Sequence, residues 1–133
     1  MAGYSGTPLI RKLGFKPGMR VFLMAAPDEY TDWLGELPAN LSWTRSAAKA
    51  DAAHVFAGDS ETLRKILPQL RERMPPDGFV WVSWPKKASG VPTDITEDVV
   101  RQIALPLGFV DVKVCAVTDV WSGLKLVIRR SER

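Results

Sequence analysis

Apolar and polar positions change period several times along the chain, and each change marks an element. Met19 to Ala25 is almost continuously apolar over a strand's length, and Ala52 to Ala57 repeats the pattern. Unbroken runs of this size predict strands covered on both faces. Phe79-Val80-Trp81-Val82-Ser83-Trp84 shows as little alternation and reads as another central strand. Leu41-Ser42-Trp43-Thr44-Arg45 alternates, as a half-exposed edge strand should. Val110 to Val117 alternates too, setting Val110, Val112, Val114 and Ala116 against Asp111, Lys113 and Cys115. After the turn Asp119 to Gly123, Leu124 to Arg129 alternates again, which predicts a closing antiparallel hairpin.

Between the strands the period shifts toward that of a helix. Leu63, Ile66, Leu67, Leu70 and Met74 make an apolar stripe opposite Arg64, Lys65, Arg71 and Glu72, so Ser60 to Met74 is predicted as an amphipathic helix docked on a sheet. Pro68 inside it predicts a kink or break. Asp94-Ile95-Thr96-Glu97 has the form of a capping box before a stripe of Val99, Val100, Ile103 and Leu107 that ends at Gly108. Thr7-Pro8 to Gly14 predicts a short helix with Thr7 as its cap, and Ala26 to Gly35 another, capped by Asp28.

Strands alternating with helices predict right-handed parallel crossovers, with fully apolar strands in the middle of the sheet. The expected architecture is a three-layer, Rossmann-like α/β domain with a mostly parallel six-stranded sheet. Its strand order is about 2-1-3-4-6-5, ending in the antiparallel hairpin. Residues 1–133 form one such domain, with 1–18 as an N-terminal helical bracket and 131–133 as a polar tail.

The Lys16-Pro17-Gly18 lead into the first strand, the Pro76-Asp77-Gly78 turn and the Gly108-Phe109 entry to the hairpin resemble a shortened methyltransferase-type Rossmann fold. More narrowly, Leu13 to Gly18, Gly78 to Val82 with Pro85-Lys86-Lys87, and Trp121 to Val127 resemble the bacterial family designated domain of unknown function 3052. That resemblance implies a fold and no established activity.

Composition narrows the classes. One cysteine, Cys115, excludes an internal disulfide framework, and with His54 the single histidine a Cys/His metal site is not expected. The opening residues lack a basic and an apolar signal region, and no apolar run nears the roughly 18 residues of a membrane span, so a cytoplasmic chain without membrane contact is expected. The net charge of +3 is scattered along the sequence, which predicts a solvated surface and no specific nucleic-acid binding. His54 reads as a satisfied core histidine and Cys115 as a small mid-strand side chain.

Ligands of open parallel sheets bind outside the carboxyl ends of the strands. There the sequence collects Ala25 to Tyr30, Gly58-Asp59-Ser60, Trp84 to Asp94 and Asp119 to Gly123. The loop after the first strand, Met24-Ala25-Ala26-Pro27-Asp28-Glu29, has no glycine, and Thr44-Arg45-Ser46 offers no acid for ribose hydroxyls. Both departures predict that adenosyl-methionine is an unlikely cofactor, so none is expected. The distinctive segment is Trp84 to Asp94, where Lys86, Lys87, Ser89 and Gly90 approach a helix N-terminus that favours anions. Trp84, Trp121 and Ser122 share that edge, and the two indoles are expected to flank one crevice suited to a planar anion. The expectation is therefore a non-catalytic domain binding a small anionic or nucleotide-like ligand, with no catalytic residue and no metal. Its alternatives are an atypical adenosyl-methionine- or nucleotide-dependent transferase and a protein-interaction module using the Leu41 to Arg45 edge or the terminal hairpin.

Overall fold

A computed structural model describes residues 7–133; the first six residues of the expected bracket lie outside it. In chain order the elements are α1 (Leu9–Leu13), β1 (Arg20–Met24), α2 (Tyr30–Leu34), β2 (Ser42–Thr44), β3 (Ala52–Phe56), α3 (Ser60–Arg73), β4 (Phe79–Pro85), α4 (Glu97–Ala104), β5 (Phe109–Ala116) and β6 (Trp121–Ile128). The strands form a six-stranded sheet in the order β2-β1-β3-β4-β6-β5, as the alternation predicts. β2, β1, β3 and β4 run parallel, while β6 is antiparallel to both β4 and β5. The apolar runs take the middle: every residue of β3 is buried, whereas β2 at the edge buries none fully.

The two faces are covered unequally. α3 and α4 lay Leu63, Leu67, Leu70, Val100 and Ile103 across one face, over Val55, Val82 and Leu124. Among the described residues the other face receives only the five-residue helices α1 and α2, through Leu13 and Leu34 with Phe15 between β1 and α1. Two carbonyls at the end of α1 are taken by sheet side chains: the Trp81 indole N–H donates to Leu13 at 2.8 Å and Lys113 Nζ to Lys12 at 3.2 Å. Gly14 then ends the helix in the left-handed region, at φ 77°, where glycine carries no Cβ penalty.

α3 begins where Asp59 accepts from the Thr62 amide at 2.8 Å, but it runs through Pro68 without a break. Pro68 is exposed, so the carbonyl that loses its partner faces water. α4 is capped by Thr96, which accepts from Val99, and not by Asp94. α2 starts at Tyr30 with no side-chain cap, so Asp28 does not cap it; α1 starts after Pro8, so Thr7 is not its cap either. β5 departs most from expectation. A bulge between Asp111 and Lys113 removes Val112 from the ladder, so Asp111 falls on the α3/α4 face and Lys113 on the other. Val112 and Val114, expected to share one face with Val110 and Ala116, are each 55% exposed on the edge strand. No helix among the described residues is long and apolar enough to cross a membrane.

His54 on β3 is a satisfied core histidine, fully buried between α2 and the sheet. Its Nδ1 lies 2.7 Å from the Tyr30 hydroxyl and its Nε2 2.7 Å from Ser83 Oγ on β4. Burial holds the imidazole neutral, its pKa depressed to about 3, and pushes the Tyr30 phenol above its usual range. Because the unfolded chain takes up this proton near pH 6.5 and the folded chain does not, stability is complete above that pH and lost as pH falls toward 3. Equilibrium denaturation at pH 7.5 and 5.5 should differ by about 1.4 kcal/mol, with His54→Phe flattening the difference. An equal slope in that variant would remove His54 as its source. Ser83→Ala should cost about 1–3 kcal/mol by stranding one imidazole nitrogen, measured by the same unfolding curves.

Candidate functional site

The connections from β1 and β3 leave in opposite directions. β1 leads through α2 to its outer neighbour β2 on one face, and β3 leads through α3 to β4 on the other. Between such strands the two loops diverge and leave a crevice at the carboxyl edge. The loops that follow β1 and β3 at that edge are residues 25–29 and 57–59.

Backbone conformation makes the first loop unusual. Ala25, directly after β1, has φ 56°, in the left-handed region that glycine normally supplies. A non-glycine residue there costs roughly 1–2 kcal/mol, least for one with a short side chain. The turn therefore keeps the sharp geometry of a glycine turn with a methyl group in place of the missing hydrogen. Across the crevice, nothing lies within 4 Å of a Cβ built on Gly58, so backbone is open to a ligand on that side. Aromatic rings line the adjoining α2 face: Trp121 meets Phe56 edge-on at 5.0 Å, and Tyr30 meets Trp43 at 6.0 Å and Trp33 at 6.1 Å.

The lysine turn lies one strand away. Lys86 follows β4, with its amide donating to Val120 at 2.7 Å, and Lys87–Ser89 forms a 3-10 turn closed by Gly90 at φ 78°. The Ser89 hydroxyl serves that turn, donating to the Lys86 carbonyl at 2.6 Å and accepting from the Val91 amide at 3.2 Å. Pro85 stands opposite Trp121, which brings Lys86 and Trp121 together, and Ser122 stands opposite Trp84. Trp84, 6% exposed, packs into the α3/α4 core, while Trp121 packs on the opposite face. The two indoles thus sit on different sides of the sheet and do not flank one crevice, because successive strand positions alternate faces.

Asp94 crosses from the lysine loop to the first turn of α3, accepting from the Ser60 amide at 2.7 Å and from its hydroxyl. Those bonds hold its carboxyl below the usual range. With Asp59 already on Thr62, two carboxylates of the chain occupy the amides at that helix start. Spacing alone gave no sign of this pairing, since the partners lie 34 residues apart. The amino edge of the sheet carries a shallow cleft of about 410 Å³ between Gly18, Asp51 and Asp77, away from the strand ends that bind ligands in such sheets. No group of three or more potential metal ligands gathers among the described residues.

No family model and no curated protein matches the chain, so the resemblance to domain of unknown function 3052 stays a resemblance. Solved structures do match. A SAM-dependent methyltransferase from Aquifex aeolicus superposes with a TM-score of 0.67 at 14% identity, over 90% of this chain and 87% of that one. Ribosomal protein L11 methylase from Lactobacillus delbrueckii subsp. bulgaricus gives 0.55 at 16%, over 92% and 76%. Magnesium protoporphyrin IX methyltransferase from Synechocystis, solved with bound SAM, gives 0.54 at 11%, over 91% and 74%. The chain has a methyltransferase-like α/β fold.

This corrects the cofactor expectation. Adenosyl-methionine is set aside above because the first loop has no glycine, yet the fold is shared with SAM-dependent methyltransferases, one of them solved with SAM, so the missing glycine does not rule that cofactor out. Ala25 supplies the physical reason: it holds the left-handed conformation that glycine would favour. The second departure, Arg45 in place of an acid after β2, stands. Strain at the turn is measurable. Ala25→Gly should stabilise the fold by about 0.5–1 kcal/mol and Ala25→Val should destabilise it, as read from denaturant midpoints. Loss of stability in the glycine variant would argue against a strained turn.

Proposed function

We propose that this chain is a methyltransferase-like domain that binds adenosyl-methionine, or a close adenosine relative, in the crevice outside β1 and β3, without a catalytic group of its own. The observation that carries the reading is the left-handed Ala25 at the strand switch point. It lets backbone amides approach the nucleoside as a glycine turn would. Gly58 leaves space on the facing loop, and the partly exposed rings of Trp43 and Trp121, backed by Phe56, would offer an apolar wall for a base. Lys86 and Lys87, on the turn closed by Ser89 and Gly90, would supply positive charge toward a carboxylate, with Trp121 and Ser122 beside them. The same fold in SAM-dependent methyltransferases supports the choice of ligand class.

Binding without chemistry is favoured by what surrounds the crevice. His54 is buried and neutral between Tyr30 and Ser83, out of reach of a substrate. Asp59 and Asp94 spend their oxygens on the start of α3. A second reading, a phosphorylated nucleotide as ligand, draws on Arg45, exposed after β2 where the guanidinium suits a ribose phosphate better than bare hydroxyls.

Titration calorimetry separates the two. Adenosyl-methionine or adenosyl-homocysteine should bind more tightly than about 1 mM, and Arg45→Asp should tighten that binding severalfold by restoring an acceptor for the ribose. Binding of adenosine phosphates alone, lost in the Arg45 variant, would favour the second reading. Absence of heat with every one of these ligands at millimolar concentration would reject both.

A further inference from the structure

The strongest concentration of charge outside the crevice lies on the α1/α2 face of the terminal hairpin. Lys113 on β5 stands directly opposite Lys125 on β6. Like charges in that position are unfavourable. The bulge at Val112 creates the pairing: in a regular ladder Lys113 would fall on the face that holds Asp111, whereas the extra residue turns it onto the face of Lys125. Asp111 is meanwhile held by Arg101 of α4 at 3.0 Å, on the far side of the sheet.

Further lysines join from distant parts of the chain. Lys12 lies at the end of α1, where its carbonyl receives Lys113 Nζ at 3.2 Å. Lys125 Nζ sits 4.3 Å from the centre of the Phe79 ring, and its pKa is lowered by partial burial and by the charges of Lys113 and Lys16. The neighbouring Cys115 thiol is raised by burial and pulled back by Lys12, Lys113 and Lys86, which extends the field up to the carboxyl edge. None of these five lysines forms an ion pair among the described residues. Residues 1–6 contribute no acidic side chain to the sequence. Charges that look scattered in the sequence are gathered here by topology.

We propose that this face binds the phosphate backbone of a single-stranded nucleic acid. From Trp121, beside Lys86, to Lys125 is four residues along β6, or about 13 Å at strand rise, more than one phosphate spans. The stripe is only two strands wide, roughly 5 Å between neighbours, which suits one phosphodiester chain better than a duplex. The half-buried Trp121 indole on the same face offers a stacking surface at its upper end. At its upper end this surface shares Lys86 and Trp121 with the nucleoside crevice, but Lys12, Lys113 and Lys125 lie outside it, so binding along the stripe can be lost without loss of the crevice ligand.

Fluorescence anisotropy with a labelled, mixed-sequence single-stranded RNA across a salt series tests it. Affinity should fall with salt, and the double variant K113Q/K125Q should lower the log–log slope by about 1.4, at about 0.7 per lost phosphate contact, with at least severalfold weaker binding at low salt. Circular dichroism should show the variant folded, and Lys65→Gln on α3 should leave the titration unchanged. No binding at low salt, an unchanged slope in the folded double variant, or an equal loss in the Lys65 variant would overturn the proposal. Lysine-dependent binding of phosphatidylserine vesicles without binding of RNA would overturn it as well. Calorimetry with adenosyl-methionine reads the crevice alone, so failure of one proposal is distinguishable from failure of the other.

Discussion

A buried imidazole that must stay neutral and doubly bonded holds this structure in register. His54 occupies the centre of the sheet, and each ring nitrogen has one partner, Tyr30 on α2 and Ser83 on β4. A polar group in such a place costs more free energy unpaired than its bonds return, so its partners cannot be displaced independently. Tyr30 fixes where α2 begins, which sets the length of the loop after β1 and so the wall of the crevice. Ser83 fixes β4 beside β3, and through the ladder aligns Gly123 and Trp121. The stack of His54 on Phe56 at 4.4 Å carries the same constraint to the carboxyl edge. Position 123 is tightly packed as well, since a Cβ there would come within 3.1 Å of Val117 and 3.3 Å of the Trp81 ring and one of them would have to give way.

Much of the fold was legible because burial writes directly into sequence. β3 reads as a continuous apolar run because helices cover it on both sides, and β2 carries polar positions because it lies at the exposed edge of the sheet. What stayed hidden depends on where single residues sit relative to neighbours far away in sequence. Asp94 looked like a cap for its own helix, but the nearer demand came from Ser60. The bulge at Val112 left no mark, because Val-Asp-Val-Lys-Val alternates regularly whichever residue is extruded. His54 was read as satisfied, yet its serine partner could not be named without the pairing of β3 with β4.

The candidate site shows the same limit more sharply. Composition identified the loop after β1 as the place where glycine was missing, and that was accurate. Its consequence depended on φ, which composition does not record. Ala25 adopts the conformation without the residue that makes it easy, and such strain persists only where surrounding structure holds it. A pattern search for glycine therefore fails on a turn whose backbone conformation is intact. For the lysine turn the error ran the other way: Trp84 and Trp121 share an edge in sequence terms, but the pleat sends them to opposite faces.

The unequal cover of the sheet connects these observations. α3 carries fourteen residues, and it and α4 spread an apolar stripe over one face, leaving their charges to pair locally, as Arg101 does with Glu97, Asp98 and Asp111. Among the described residues the opposite face carries two five-residue helices, and toward β5 and β6 the end of α1 meets Lys113 and Lys125 and leaves Lys113 exposed at the edge. An exposed sheet edge must be polar to avoid edge association, and lysine serves that purpose. A purely protective surface would mix signs, however, because interspersed acids lower self-repulsion at no cost in solubility. The chain does the reverse. A bulge puts Lys113 on the face opposite to Asp111 and sets two lysines across from each other. An arrangement that raises local repulsion within the folded state is best accounted for by an anion that relieves it.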